Sequence, residues 1–517
     1  MDGKRTTLVN KRVTFLIIAA ISIFSLFSFF SFMARLGPNK TQSIIALSAP
    51  DPPHVSRTEL PHPAPGSPSI VQTDYPEGIE DVYLMVKTGA TVLWKRLPVH
   101  FMTTFKQVPY FQVYSDMAET VGDHHVVDTL QNVSEPLKLT EDFEIYRIQQ
   151  EMQAGHYNVI PEKNGAITGS KKGWNLDKYK NLPMLQHAWA TRPDAKWFIF
   201  MDADSYVLWT PLMNWLRTLD HRHALYMGSP AGQPPVQFAH GGSVVVISRG
   251  AMLRSFGKDP QYYKQYEAKT IKTCCGDLMV AHALYDSGIK IAKGIDEYPY
   301  ANFKFLGEPP AIVKAKAANW CKPIMSFHHV DQQDIQRLHE FERDWKSKHD
   351  KDEYITYSDV FHWFMRPYMT EGRVEDWDNR SDDRKYSPTD PKAIDAPAHE
   401  SLENCVAYCE AWSECLGWRY QTGMCALSES VRLGHKRLRQ GDDLFDDTKK
   451  VTSGWMMDRI REFRAKSGCD RLVHEELQEK AQEKVQVNDD GDVSADSVIV
   501  PGLEIPGQRK RKGLFGF

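Results

Sequence analysis

Cysteine is absent from the first 273 residues, and no sign of charge prevails: 63 Lys and Arg stand against 67 Asp and Glu, a formal net charge of −4. The first absence confines any disulfide framework to the C-terminal half. The second removes the global field that would draw a polyanion, so nucleic acid is not an expected partner. Charge is missing locally from residues 13–34, a run rich in Phe, Ile, Leu and Ser. Apolar periodicity is missing after about residue 480, where the chain carries Asp489-Asp490 and closes on Arg509-Lys510-Arg511-Lys512. Residues 467–517 are therefore expected to be mostly disordered.

The uncharged run is long enough to cross a bilayer, since its residues at about 1.5 Å each reach roughly 33 Å. Lys4, Arg5, Lys11 and Arg12 precede it against Asp2 alone, which keeps the N-terminus cytosolic. A cleaved signal peptide would carry a shorter apolar region, about 7 to 15 residues. The expectation is a single-pass type II protein of the Golgi or ER membrane, with a cytosolic tail (1–12), an anchor (13–34) and a Pro-rich stem (35–76). Everything after the anchor is then lumenal, including the sequons at Asn39, Asn132 and Asn379, which are candidate glycosylation sites. In an oxidising lumen Cys405, Cys409, Cys415 and Cys425 read as a disulfide framework, whereas in cytosol they would raise a zinc site.

Short apolar strands are expected at 81–88, 111–114, 197–201 and 244–247, with helix-compatible sequence around 93–105 and a helix at 277–287 closed by Gly288. This alternation implies an α/β layer fold with a mainly parallel sheet, whose ligands gather at the carboxyl ends of strands. Lys87, Thr88 and Asp116 fall at or near the ends of the first two strands. Residues 77–370 are expected to form this main domain. Residues 371–397, rich in Asp, Arg, Pro and Ser, read as a linker, and 398–466 as a small cysteine-containing domain ending in a helix at 458–466.

The chemistry centres on Asp202-Ala203-Asp204. Asp-x-Asp also occurs at Asp350 and Asp352, Asp376 and Asp378, and Asp490 and Asp492, but only Asp202 and Asp204 end an apolar strand, Trp197-Phe198-Ile199-Phe200-Met201. Two carboxylates fixed there suit a hard divalent cation such as Mn²⁺ or Mg²⁺, which bridges protein oxygens to phosphate oxygens. Solvated acids capping a strand are the plainer alternative. Trp174, Asp177, Lys178 and Lys180 read as a solvated helix start, with contact to donor phosphate or acceptor as the lesser alternative.

Several motifs, in order, resemble the inverting glycosyltransferases of family 31, especially the Fringe and core 1 galactosyltransferase branch, over residues 81–330. They are Asp81 through Lys87-Thr88, Phe198 through Val207, Phe238-Ala239-His240-Gly241-Gly242 through Ser248-Arg249, Cys275-Gly276-Asp277-Leu278, and Ser326-Phe327-His328-His329. The resemblance implies a GT-A fold (a Rossmann-like mixed sheet flanked by helices), a UDP-sugar donor, Mn²⁺, and transfer of a hexose or N-acetylhexosamine with inversion to a glycan or glycoprotein hydroxyl. It implies Asp277 as catalytic base, Lys87, Thr88, Asp202 and Asp204 as nucleotide-sugar contacts, and Gly241 and Gly242 near the acceptor, while Asp116 is a nucleotide contact expected from its place at a strand end. It also implies His328 as a metal ligand beside Asp202 and Asp204, where spacing alone does not choose between His328 and His329. Two departures stand out: Ala203 replaces a frequent Asp, and Gly276 replaces one of two acids.

Residues 398–460 resemble a PAN/apple module, which implies the pairs Cys405 with Cys425 and Cys409 with Cys415. Sequence alone permits three pairings of these four. The rival to an active enzyme is an inactive lumenal protein that binds glycans or proteins.

Overall fold

The computed structural model describes residues 75–155, 170–292, 304–369, 372–389, 397–470 and 472. The tail, anchor and nearly all of the stem, with Asn39, lie outside the described residues, as does the end of the chain beyond 472. Among the described residues no helix is long and apolar enough to cross a membrane.

The strands of the main α/β part are β1 (Val82–Lys87), β2 (Phe111–Ser115), β3 (Glu119–Val121), β4 (His124–Asp128), β5 (Trp197–Asp202), β6 (Ser205–Val207), β7 (Tyr226–Gly228), β8 (Pro230–Ala231), β9 (Phe238–Ala239), β10 (Val245–Ser248), β11 (Lys304–Phe305) and β12 (Ile324–His328). Seven form the central sheet in the order β3-β4-β2-β1-β5-β10-β7. Its centre is parallel from β4 through β5, while β3 and β10 run against it and β7, antiparallel to β10, runs with it again. The sheet is thus mixed rather than mainly parallel.

The alternation of strand side chains sends Val82, Leu84 and Val86 of β1 into one apolar layer with Ile199 and Met201, and Tyr83 and Met85 into another with Phe198 and Phe200. Both faces are covered, which is why β1 and β5 read as unbroken hydrophobic runs. The expected helical stretch at 93–105 is divided into helices Ala90–Arg96 and Pro98–Met102 and a turn Thr104–Lys106. Pro98 lacks an N–H and opens the second helix, where none is required. A second sheet, β11-β12-β6, stands beside the first.

Beyond residue 372 lie β13 (Arg373–Glu375), β14 (Trp377–Asp378), β15 (Arg384–Tyr386), β16 (Gly417–Gln421), β17 (Met424–Ser428), β18 (His435–Lys436) and β19 (Val451–Trp455). Five make an antiparallel sheet, β13-β19-β16-β17-β15, against which the helix Leu402–Ala411 is stapled by Cys405–Cys425, with Cys409–Cys415 closing the turn after that helix. The stretch read as a linker therefore contributes strands: β13 and β15 are short sheet edges on which Arg373, Glu375, Arg384 and Lys385 are exposed. Asn379 needs the same correction. It is 1% exposed, and its side-chain amide donates to the carbonyls of Trp418 (3.0 Å) and Gly454 (3.3 Å), so the nitrogen that would carry a glycan is spent inside the fold. Asn132 is exposed.

The C-terminal part is joined to the main part by Cys321–Cys469, by an isolated bridge Ala315↔Val431, and by buried Asp470. The Asp470 carboxylate accepts from Arg464 Nε (2.8 Å) and Trp320 Nε1 (3.2 Å) and faces His362 Nε2 at 2.9 Å.

Candidate active site

The carboxyl ends of β1, β2 and β5 meet at one mouth, as expected of an α/β sheet. In the β1/β5 register Lys87 stands beside Asp202, and the Lys87 ammonium lies 3.0 Å from Asp202 Oδ1 and against Asp177. Burial pushes the Lys87 pKa down, but the Asp177 and Asp202 carboxylates outweigh it and hold the lysine charged. For Asp177, burial is overcome by Lys87 and Lys180, and its pKa is lowered to about 2.

Lys180 donates to the Thr88 carbonyl (2.8 Å) and lies 3.3 Å from Asp177 and 3.7 Å from Asp116. Asp116 accepts the Ala90 N–H at 2.7 Å, which fixes the chain leaving β1. Thr88 Oγ1 is buried without a partner. Lys87, Thr88, Asp116 and Asp202 thus come together as expected. Asp177 and Lys180 belong to the same network; their i, i+3 spacing with opposite charge was the available sign.

The turn after β5 is held from beneath. Ala203 is 1% exposed within an apolar layer, its N–H donates to the Lys87 carbonyl (2.9 Å), and its own carbonyl lies 2.9 Å from His100 Nε2. A third acid at this position would be buried among hydrocarbon, which accounts for alanine. His100 is fully enclosed, with its other ring nitrogen 2.9 Å from Thr104 Oγ1, and burial lowers its pKa to about 4. Nothing in the sequence singled it out.

Asp204 lies opposite β12. Its Oδ2 is 3.0 Å from Arg96 and 3.9 Å from His329 Nδ1, and its Oδ1 is 3.8 Å from His328 Nε2. Burial and the neighbouring Asp202 raise the Asp204 pKa against the pull of Arg96. Burial lowers that of His328 to about 4, leaving a neutral imidazole whose Nδ1 has no partner. Asp204, His328 and His329 offer donor atoms within 4.8 Å of one another. Asp202, also expected as a ligand, lines the same cleft with its Oδ1 3.0 Å from Lys87.

Two glycines connect this group to Asp277. A Cβ on Gly242 would stand 2.0–2.5 Å from the His328 ring, so only glycine lets the imidazole lie there. The preceding Gly241 N–H donates to Asp277 Oδ2 at 2.9 Å. Asp277 is in the first turn of the helix Gly276–Asp286; burial raises its pKa, opposed by the N–H groups of Gly241 and Leu278. Gly276 is required by packing, because a Cβ would come 2.7 Å from the Lys178 carbonyl and 2.9 Å from Asn181. The helix is preceded by a disulfide between neighbours, Cys274–Cys275.

Apart from His100 and Ala203 beneath the turn, these residues line one cleft of about 620 Å³, with Trp174, Phe238 and both cysteines in its wall. That is room for a nucleotide-sized ligand. The carboxylate oxygens of Asp204 and the imidazoles of His328 and His329, with donor atoms this close together, fit a divalent cation.

No curated protein matches the chain. Residues 78–281 match the family described as Fringe-like, which covers β1 through most of the helix bearing Asp277. That match supports glycosyltransferase activity in general. Over residues 78–281 the chain is thus similar to the Fringe-like domains of glycosyltransferase family 31, and it is built there as a mixed α/β sheet flanked by helices.

Proposed function

We propose that the protein transfers a hexose or N-acetylhexosamine from a UDP-sugar to a hydroxyl of a glycan or glycoprotein, with inversion. The observation that carries this reading is the Gly241-Gly242 turn, which holds a carboxylate through one residue and an imidazole of the cation-binding group through the next. Base and donor-phosphate site are thus set at a fixed spacing in one cleft.

Asp277 takes the proton from the acceptor hydroxyl. The oxygen forms its bond to the anomeric carbon from the face opposite UDP, and UDP leaves with the electron pair of the broken bond. Partial burial raises the affinity of Asp277 for that proton, while the two backbone N–H groups keep its oxygens aimed. Asp204 and His328 are the residues to hold a divalent cation, which when bound offsets charge on the departing diphosphate. Lys87 and Lys180, fixed by Asp177, Asp202 and Asp116, add positive charge on the nucleotide side of the cleft.

A type II anchor at 13–34 and a lumenal location remain part of the proposal. The pairing of all eight cysteines supports an oxidising compartment. A PAN/apple-like role in acceptor recognition for residues 398–466 is also proposed, resting on the stapled helix and antiparallel sheet.

The test is UDP release by the purified full chain across a panel of UDP-sugars, with and without Mn²⁺. Turnover that requires Mn²⁺ and is lost in Asp204→Ala is the expected result. Turnover indifferent to both would sink the reading, and donor binding without turnover for every sugar would favour a binding protein.

A further inference from the structure

His328 and His329 are consecutive at the end of β12, so a regular strand would point their rings to opposite faces. The residues before them obey that rule. Ser326 and, across β6, Ser205 turn toward the 241–243 turn, donating to the carbonyls of Ser243 (2.7 Å) and Gly242 (2.6 Å). Phe327 and its register partner Tyr206 turn the other way into an apolar layer. His328 follows Ser326 and lies on Gly242. By alternation His329 would follow Phe327.

It does not, because His329 has φ +56°, in the left-handed region where a residue bearing a side chain is uncommon. That one dihedral returns the ring to the His328 side. The two imidazoles stack with centroids 3.7 Å apart and planes 26° from parallel. The β6/β12 register pairs His328 with Ser205, so the next step brings His329 opposite Asp204; Val330 N–H donates to the Asp204 carbonyl at 3.0 Å. Nδ1 of His329 then faces Asp204 Oδ2 at 3.9 Å, while Nε2 of His328 faces Oδ1 at 3.8 Å. The His329 side chain is 66% exposed, so stacking in a core does not account for its position.

We infer that His329 is a second imidazole ligand of the cleft cation, and that the pair selects a first-row transition metal over Mg²⁺. The inference rests on the proposed function's cation at Asp204 and adds a ligand and a preference to it. Magnesium is served by carboxylates, carbonyls and water, whereas each imidazole shifts a site toward transition metals. Arg96, on the same Oδ2 of Asp204, supplies the positive charge that an arriving cation would replace or share.

The experiment is Mn²⁺ binding to the full chain, followed by loss of the free-ion electron paramagnetic resonance signal, with Mg²⁺ as competitor. His329→Gly removes the imidazole while tolerating φ +56°, and His329→Asn, also at home in that region, is the second variant. Both should weaken Mn²⁺ binding by about tenfold or more with little change in Mg²⁺ binding, so the Mn²⁺/Mg²⁺ ratio collapses. A role limited to backbone shape would leave that ratio intact. Mn²⁺ binding that Asp204→Ala abolishes but both His329 variants retain, at the original ratio, overturns the inference and leaves the proposed function standing. Failure of the unsubstituted chain to bind Mn²⁺ overturns both.

Discussion

Asp277→Asn keeps the size of the side chain and removes its capacity to take a proton. It is expected to lower kcat by about 10²-fold or more, with UDP-sugar binding by calorimetry unchanged. Because burial raises the Asp277 pKa, the acid limb of the pH–rate profile should lie above the ordinary carboxylate range, with rate lost as pH falls through it. Stability runs the other way: this site favours the protonated acid, so its contribution is greatest below the ordinary carboxylate pKa and is lost as pH rises through the raised one. Gly276→Asp, which would restore a paired acid, drives a side chain into the Lys178 backbone. It should cost about 1–3 kcal/mol in urea unfolding and gain no turnover. The acid pair at 202 and 204 was legible because an apolar run precedes it. The packing demand on Gly276 was not, since its neighbours lie about a hundred residues away in sequence. Nor was the role of His329, because two adjacent histidines do not spell a backbone dihedral.

At the scale of elements, the acidic turn is held by a short helix as well as by the neighbouring strand β1. His100, in the helix Pro98–Met102, meets the Ala203 carbonyl. Its pKa is lowered from 6.5 to about 4, as is that of His328. The neutral forms are favoured in the fold, so their contribution is whole above pH 6.5 and is lost as pH falls toward 4. Thermal melts across that window should show falling stability, and His100→Gln, which keeps a donor for Ala203, should flatten the decline. An unchanged slope would show that His100 is not among the groups responsible. The central strands and the helix bearing Asp277 could be read from periodicity to within a residue or two. The strand β10 was read in place but its antiparallel direction was not, because a short buried strand carries no sign of its direction, and β7 was not expected at all. The strands β13, β14 and β15 were hidden for a different reason: they are short and carry several polar residues.

At the scale of the molecule, the C-terminal sheet closes against the main part, with Asp470 buried between Arg464, Trp320 and His362. The cluster of four cysteines announced a stapled unit, but Cys321 and Cys469 are 148 residues apart and only the folded chain brings them together. Between them lies an exposed segment with Lys436, Arg437 and Leu438 on its surface. Trypsin cutting there would sever the backbone without separating the pieces. On a denaturing gel the nicked protein should keep its full mass until a reductant is added, and then fall into two fragments. The molecule's mass can thus outlive a break in its own chain, and intact size without a reductant would be no proof of an intact polypeptide.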